Sequence, residues 1–581
     1  MGVDVTKITQ LRNNEYYCMQ EVFDFLYKKS KEKYEFHDLI RFISDDNNIR
    51  LAYRNIKTNK GSKTNGLSGK NISFIANMKL WVYLKLIKSN IDDYKPSKIR
   101  RVSIPKSNGK VRYLGIKEPW DKIIEQSVYQ ILEPILNAKF HNNSNGFIKG
   151  RSQARAIDQF TNYIKRDKLY YVIDLDIKGF FDNVDHGKLL KQLWTCGVKD
   201  MNLISIISKM LKAEVFNVGI PEKGTPQGGI LSPLLANLVL NEFDWWLESK
   251  VLKGIKFVRY ADDVKILCPS YPVARDMLDK ITKWLNKRLR LEVSEEKTKI
   301  INLKRNYSQF LGFKFKVKTE KGKDKIISHM TEKAIENAEA KVKKQTRKLK
   351  KASTNKKKCL EELEYYNSIV RGIHNYYDKA TRINQDLHNI CWHTNIYIKT
   401  KLKNVLSFSA IIDNVTKEKI GENPNIRGKP LLEIGKVNYN FKRCCGDDIN
   451  YFESNSRKRI HKEIGIDNIF ILGVLLKMPN LYESVEFNDN ILSKFCGQLG
   501  NYAITNEMIF DIKNVRAIKI IENGSSKYNN IIIVDRKVEK LLRLKEVDDI
   551  IEISNLKRGI KSEQLEKINK LRKENSLPLI S

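Results

Sequence analysis

At 581 residues the chain is too long for one ordinary core, which predicts two to four domains. No stretch approaches the roughly 18 to 20 uninterrupted apolar residues of a membrane span, and the first residues lack the charged-then-apolar layout of a secretory signal. Lys and Arg total 106 against 68 Asp and Glu, a net charge of +38 that excludes an acidic-surface protein and points to a polyanion, above all nucleic acid, as partner.

Met1-Gly2-Val3-Asp4-Val5-Thr6 fits the loose myristoylation template, a match that short chance runs also give. The eight cysteines, Cys18, Cys196, Cys268, Cys359, Cys391, Cys444, Cys445 and Cys496, have no regular spacing, which argues for buried thiols in a reducing compartment. Near the N-terminus a helical apolar pattern surrounds Val22, Phe23, Phe25 and Leu26. A basic loop from Lys57 to Gly66 follows, in which Lys60 and Lys63 are candidate phosphate contacts. Strand-like and helical runs then mix from about 76 to 320.

From about 325 to 410 the pattern is helical. Lys341 to Lys358 holds ten basic residues and no acidic one, and Lys344, Arg347, Lys348 and Lys351 recur at helical spacing as a basic stripe. Tyr365, Tyr366, Ile369, Val370, Ile373, Tyr376 and Tyr377 share that period and read as core rather than base-stacking platform. Residues 411 to 485 read as linker plus a small basic module. The last hundred look like a separate αβ unit ending in a charged helix, Ser562 to Glu574.

Three motifs carry the chemistry. Phe257 to Leu267 predicts two apolar strands joined by an acidic turn at Asp262 and Asp263, whose adjacent carboxylates repel unless a cation neutralises them. Tyr170 to Asp182 predicts a strand delivering Asp176 at its C-terminal end, with Asp174 and Asp182 as rivals. Period 2 puts Asp174 on the same face as Asp176, but only Asp176 has an aromatic, Phe181, five residues on. Phosphoryl transfer by two metals needs carboxylates from separate segments converging on ions roughly 4 Å apart, and Asp176 with Asp262 and Asp263 is such a set. Gly224-Thr225-Pro226-Gln227-Gly228-Gly229-Ile230-Leu231-Ser232-Pro233 opens an apolar helix, Leu234 to Leu247; its glycines allow close backbone approach to a ligand.

These motifs resemble, in order, motifs A, B and C of group II intron reverse transcriptase/maturases: Asp176 to Asn183, Gly224 to Pro233, and Tyr260-Ala261-Asp262-Asp263. Further matches are Ile104-Pro105-Lys106 with Lys110 to Ile116, Ser144-Asn145-Gly146-Phe147 with Gly150-Arg151-Ser152, Glu295 to Lys299, Phe310 to Phe313, and Arg371-Gly372-Ile373 with Asn375-Tyr376-Tyr377. The resemblance covers roughly residues 50 to 410.

It implies an α+β multidomain right-hand polymerase. A fingers and palm region with an antiparallel sheet would span 76–320 and a helical thumb or X domain 321–410, flanked by an RNA-binding extension (1–75), a basic DNA-binding linker (411–485) and a C-terminal αβ unit (486–581). Asp176, Asp262 and Asp263 would hold two Mg2+ ions, with Mn2+ as substitute. Lys106 and Arg112, with Arg100 or Arg101 as further candidates, would clamp the dNTP triphosphate. Phe181 would crowd the sugar 2′ position; Gln227, Gly228 and Tyr260 would lie against the nucleotide; Lys297 is a candidate general acid. Arg151, Arg371 and the basic stripe would bind RNA or DNA. The implied partners are intron RNA, primer-template, dNTPs and target DNA, with no membrane and with a homodimer left open; the implied activities are cDNA synthesis, splicing assistance and retrohoming.

Many family members end in an HNH endonuclease. Here Cys496 stands without its Cys-x-x-Cys partner, Lys513 and Asn514 occupy the paired-histidine positions, and Glu539 and Arg543 the two later ones. No histidine follows His461, so a His general base is missing and the expectation is a catalytically dead remnant. A zinc site of Cys444, Cys445 and Cys496 is the rival, without supporting spacing. Alternatives for the whole chain are a splicing factor without polymerase activity, a domesticated reverse transcriptase such as a phage-defence enzyme, and a viral RNA-dependent RNA polymerase, which Phe181 and the Tyr-Ala-Asp-Asp box disfavour. Abundant Lys, Asn and Ile suggest an AT-rich genome, and the acidic residues near the N-terminus point to bacterial cytoplasm rather than an organelle.

Overall fold

The computed structural model describes residues 12–105, 111–250, 254–412, 419–440, 450–461, 469–545 and 550–580. Contacts divide the chain into two compact units interleaved in sequence. Met1–Phe140, Gly179–Leu240 and Ile449–Ser581 make the first, His141–Lys178 and Asn241–Asp448 the second. The linear stretch 76–320 therefore contributes to both.

The first unit is built on the helix Pro119–Asn137, which starts with proline where a helix needs no N–H and buries most of its residues. The helices Gln20–Lys31 and Asp46–Lys57 pack against it. In the former, Phe23, Leu26, Tyr27 and Ser30 form the buried stripe, while Phe25, also part of the apolar pattern, points to solvent because it lies off that i, i+3, i+4 row. Asp45 caps the second helix, its carboxylate accepting from the Asn47 and Asn48 N–H groups. The basic loop contains a short 3-10 turn, Lys60–Lys63. Strands β1 (Arg100–Pro105) and β2 (Val111–Ile116) form an exposed antiparallel hairpin.

The C-terminal αβ element belongs to this unit. The strands Val515–Lys519 and Ile531–Asp535 pair antiparallel, and Ile518, Ile532, Val534, Val538, Leu541 and Ile568 form a core of their own. The final helix spans Ser562–Glu574, as expected. The helix Val485–Gly497 reaches the N-terminal helices through buried Asp489, which accepts from the Tyr17 hydroxyl and pairs with Arg54 at 2.8 Å and with Lys57.

The second unit contains the expected antiparallel sheet, in the order β4 (Lys256–Tyr260), β5 (Asp263–Cys268), β3 (Tyr171–Leu175) and β6 (Lys299–Asn302). Val172, Ile173, Leu175, Phe257, Val258, Val264, Ile266 and Leu267 are buried, and the helices Gln153–Arg166 and Tyr271–Trp284 pack against the sheet. Strands β7 (Ser308–Phe310), β8 (Phe313–Glu320) and β9 (Lys323–Met330) follow as a meander whose Phe310, Phe313 and Phe315 are wholly buried.

Three helices, Glu332–Ala352, Lys356–Tyr377 and Ile383–Leu402, follow in this unit. The helical region expected from 325 thus starts later. Lys321 and Gly322 both have positive φ, the signature of a two-residue hairpin turn, and Thr331 caps the helix from Ala334 N–H. The linker expected to begin at 411 falls inside a strand, Leu406–Ile412, paired with Lys419–Ile426 and then Lys429–Pro430. Arg427 and Gly428 again supply two positive φ values at a turn.

Candidate active site

Leu175 pairs with Val264, so one step past the end of β3 the register sets Asp176 opposite Asp263. The backbone of Asp176 is gripped on both sides: its N–H donates to Thr298 Oγ1 at 3.2 Å and its carbonyl accepts from Ser294 N–H at 2.8 Å. Its carboxylate pairs with Lys297 Nζ at 3.2 Å, so the candidate general acid is adjacent to a candidate metal ligand.

Ala261 and Asp262 form the turn between β4 and β5, with Tyr260 paired to Asp263 and Ala261 at φ +59°. Arg259, without solvent exposure, forms a two-point ion pair with equally buried Asp244 and donates from Nη1 to the Ala261 carbonyl at 2.9 Å. Gly146 lies so close that a Cβ there would sit 2.4 Å from Ala261 N, and Asn145 N–H donates to the Arg259 carbonyl at 2.8 Å. The Ser144–Phe147 motif is thus the support of the acidic turn. Arg151, expected at nucleic acid, donates to the carbonyls of His141 and Ser144, both at 2.6 Å, and so braces that support.

Burial pushes the Asp263 carboxyl up; Lys265 opposes this, while Asp174 and Asp262 add to it. Lys265 is itself buried and sits 3.2 Å from both Asp263 and Asp174. Asp174 also accepts from Ser308 Oγ at 2.8 Å, so this rival ligand shares the predicted face but is already committed to Lys265 and Ser308. Among the described residues no three acidic, imidazole or thiol groups stand as a ready cage. The donor chemistry of Asp176, Asp262 and Asp263 is nonetheless all carboxylate oxygen, which suits a hard divalent cation.

In the first unit, Arg112 Nε donates to Gln227 Oε1 at 3.1 Å, and Gln227 Nε2 donates to Asp182 Oδ1 at 2.7 Å. Asp182, the other rival, is thereby tied to the glycine-rich loop. Gly115 N–H donates to the Gln227 carbonyl at 2.8 Å, and a Cβ on Gly228 would sit 3.3 Å from the Gly115 carbonyl, so the loop lies against β2. Lys106 lies outside the described residues; Arg101 stacks on Tyr113 at 3.6 Å, and Arg100 starts β1. Phe181 sits half-buried in a 3-10 turn, edge-on to Phe180. The helix after the loop runs Ser232–Lys250, longer than expected.

Lys344, Arg347, Lys348 and Lys351 are exposed on one helix, as their spacing predicts. Lys341, Lys344 and Lys348 line a cavity of about 630 Å³ with Tyr365, Tyr376 and Tyr377. Arg347 Nε donates to the Tyr397 hydroxyl at 2.8 Å. The tyrosines divide: Tyr366 is core, Tyr376 and Tyr377 pack on Phe313, and Tyr365 is exposed. Arg371 and Lys63 are exposed; the Lys60 side chain lies outside the described set.

In the C-terminal element, Glu539 pairs with Arg516 at 3.2 Å and Arg543 at 3.7 Å, so the two residues set against the later HNH histidines in the sequence comparison are joined in an ion-pair chain. Cys496 is bonded to Tyr16, which with burial perturbs its thiol, burial raising it and Tyr16 lowering it, with a net rise. Cys444 and Cys445 lie outside the described residues. The Arg259–Asp244 pair and the role of Lys265 are not legible in the sequence. The one signal the sequence carries is a charged residue, Arg259 or Lys265, at a core-facing position of each apolar strand.

The family model described as reverse transcriptase (RNA-dependent DNA polymerase) matches residues 104–315. Protein YkfC of Escherichia coli K12 is 28% identical over 340 residues, covering 52% of this chain and 88% of its own length. The group II intron-encoded protein LtrA of Lactococcus lactis is 30% identical over 457 residues, covering 63% of this chain and 74% of its own. A telomerase structure from Candida tropicalis aligns with a TM-score of 0.34 at 15% identity, over 53% of this chain and 64% of that one. Among the described residues no helix is long and apolar enough to cross a membrane. The LtrA alignment, together with the reverse transcriptase match, places the chain in the group II intron-encoded reverse transcriptase/maturase family, RNA-directed DNA polymerases that use divalent metal ions and work on nucleic acid.

Proposed function

We propose that Asp176, Asp262 and Asp263 are the catalytic carboxylates and that the ions they hold are two Mg2+, with Mn2+ as substitute. The observation that carries this is the strand register, Leu175 with Val264 and Tyr260 with Asp263, which brings three carboxylates from two chain segments to one end of the sheet. Bound there, the ions would supply Lewis acidity to the primer 3′ hydroxyl and to the leaving pyrophosphate. The residues of this chain do the rest. Asp262 and Asp263 are fixed by the braced turn, Lys297 stands ready to donate a proton beside Asp176, and Lys265 balances buried negative charge.

Arg112 with Lys106 is assigned to the triphosphate, Phe181 to rejection of a 2′ hydroxyl, and Gln227, Gly228 and Tyr260 to the nucleotide face. Intron RNA and primer-template are assigned to the exposed stripe Lys344, Arg347, Lys348 and Lys351, with Arg371, Lys60 and Lys63 as further contacts. The physiological role is cDNA synthesis on intron RNA combined with assistance to its splicing, in a bacterial cytoplasmic ribonucleoprotein. Second-strand cleavage is assigned elsewhere, since the HNH positions carry Lys513, Asn514, Glu539 and Arg543.

The test is extension of a DNA primer on an RNA template with Mg2+ and dNTPs, comparing the wild type with D262A/D263A. Incorporation abolished in a double variant that still binds RNA supports the assignment; incorporation retained in it sinks the assignment. Wild-type protein that binds RNA but never extends the primer would transfer the function to splicing alone.

A further inference from the structure

The Gly224–Gln227 loop is fastened to residues 181–186 along its length. Gly224 N–H donates to the Val184 carbonyl and Thr225 N–H to the Phe181 carbonyl, both at 2.7 Å; Lys223 bridges to Asp185, and Gln227 bonds Asp182. One more bond closes the set: His186 Nε2 lies 2.7 Å from the Gly224 carbonyl oxygen, with the ring buried at the start of helix His186–Thr195. A carbonyl only accepts, so Nε2 carries the hydrogen and the tautomer is set. Nδ1 is buried without a hydrogen-bond partner, so the ring has a single polar task.

That task falls on one peptide plane. The Gly224 carbonyl and the Thr225 N–H belong to the same rigid unit, held at its oxygen by His186 and at its nitrogen by the Phe181 carbonyl. Gly224 has φ +92°, and a Cβ there would lie 2.9 Å from the Asp182 carbonyl oxygen, so the backbone at this point is both unusual and crowded. Without the imidazole donor, the buried Gly224 oxygen loses its bond. Turning the plane to find another breaks the bond to Phe181 as well.

We infer that His186 is a positioning residue for sugar selection, fixing the Gly224–Thr225 peptide and through it the backbone of Phe181. The inference rests on Phe181 being the residue that rejects ribonucleotides. The experiment measures kcat and KM for single dNTP and rNTP additions by the full chain on a primed RNA template, for wild type, H186L, H186Q and F181A.

H186L keeps bulk without a donor; H186Q offers an amide N–H to the same oxygen. H186L is expected to lose about fivefold to tenfold of the dNTP over rNTP preference, the worth of one buried hydrogen bond. The change should fall mainly on the rNTP, as a lower rNTP KM with the dNTP KM near wild type, and H186Q should restore most of the discrimination. If H186L fails to fold, H186N, whose shorter amide does not reach Gly224, replaces it. Wild-type discrimination in H186L, or an equal loss for dNTP and rNTP that H186Q does not repair, overturns the inference. If F181A leaves discrimination unchanged, the sugar-selection reading itself fails, whereas altered F181A with unaltered H186L refutes His186 alone.

Discussion

Arg259 and Asp244 meet without solvent exposure, guanidinium to carboxylate at two points, and the remaining Arg259 amine holds the Ala261 carbonyl one residue before Asp262. A buried pair of this kind is not in itself strongly stabilising, but removing one partner leaves the other as an uncompensated charge. Asp244→Ala should therefore lower stability by about 3 to 5 kcal/mol. Replacing both residues, as in D244L/R259L, should be markedly less costly than the single change. Denaturant unfolding checks this, and a double variant as unstable as the sum of the singles would refute it. The double variant should also fold with weak polymerase activity, because the Ala261 carbonyl has lost its donor.

Gly146 supplies a steric test of the same turn. A methyl group there would meet Ala261 N at 2.4 Å, and the neighbour is backbone that cannot step aside. Gly146→Ala should reduce primer extension by at least tenfold through displacement of Asp262 and Asp263, an effect of about 1.4 kcal/mol or more. Gly61→Ala, where nothing lies within 4 Å, should leave extension unchanged. Equal behaviour of the two variants would remove the Ser144–Phe147 segment from the site.

Asp489 predicts an acid limb of stability. Burial alone would raise its carboxyl, but Arg54 and Lys57 prevail and hold it below the ordinary range. In the window between its folded value and the unfolded value near about 3.9, the unfolded chain binds the extra proton. Its stabilisation is therefore complete above that unfolded value and disappears as pH falls through the folded one. Asp489→Asn should lower stability at pH 7 and flatten the decline below about pH 4. A wild-type acid slope in the variant would show that Arg54 and Lys57 do not act through this carboxylate.

The acidic turn, the strand ending at Asp176 and the glycine-rich loop were legible because each is local: alternation, a tight turn and a helix start occupy a dozen residues or fewer. Asp244 and Arg259 were not, since a helix residue and a strand residue fifteen positions apart meet only after the chain folds. The same holds for the pairing of Lys265 with Asp174, which comes from β3. The hairpins at Lys321-Gly322 and Arg427-Gly428 escaped because Lys and Arg rarely adopt positive φ, and nothing in the flanking charges announces it. The interleaved division into two units is beyond any linear reading, because it depends on long-range contacts of residues 449–581.

The basic stripe gives the last prediction. Lys344 and Lys348 are exposed one helical turn apart and line a cavity with Tyr365, an arrangement that offers two cations and an aromatic face to a nucleic acid strand. Each phosphate contact contributes roughly 0.7 to 0.9 to the slope of log affinity against log salt. Lys344→Gln/Lys348→Gln should therefore lower that slope by about 1.4 to 1.8 and weaken primer-template binding at low salt. The turnover of template-saturated enzyme should stay near wild type, because neither residue belongs to the catalytic sheet. Filter binding across a salt series together with saturated primer extension separates the two. An unchanged slope would place the duplex elsewhere on this protein, and a lost turnover at saturation would mean that the stripe acts on chemistry rather than on binding.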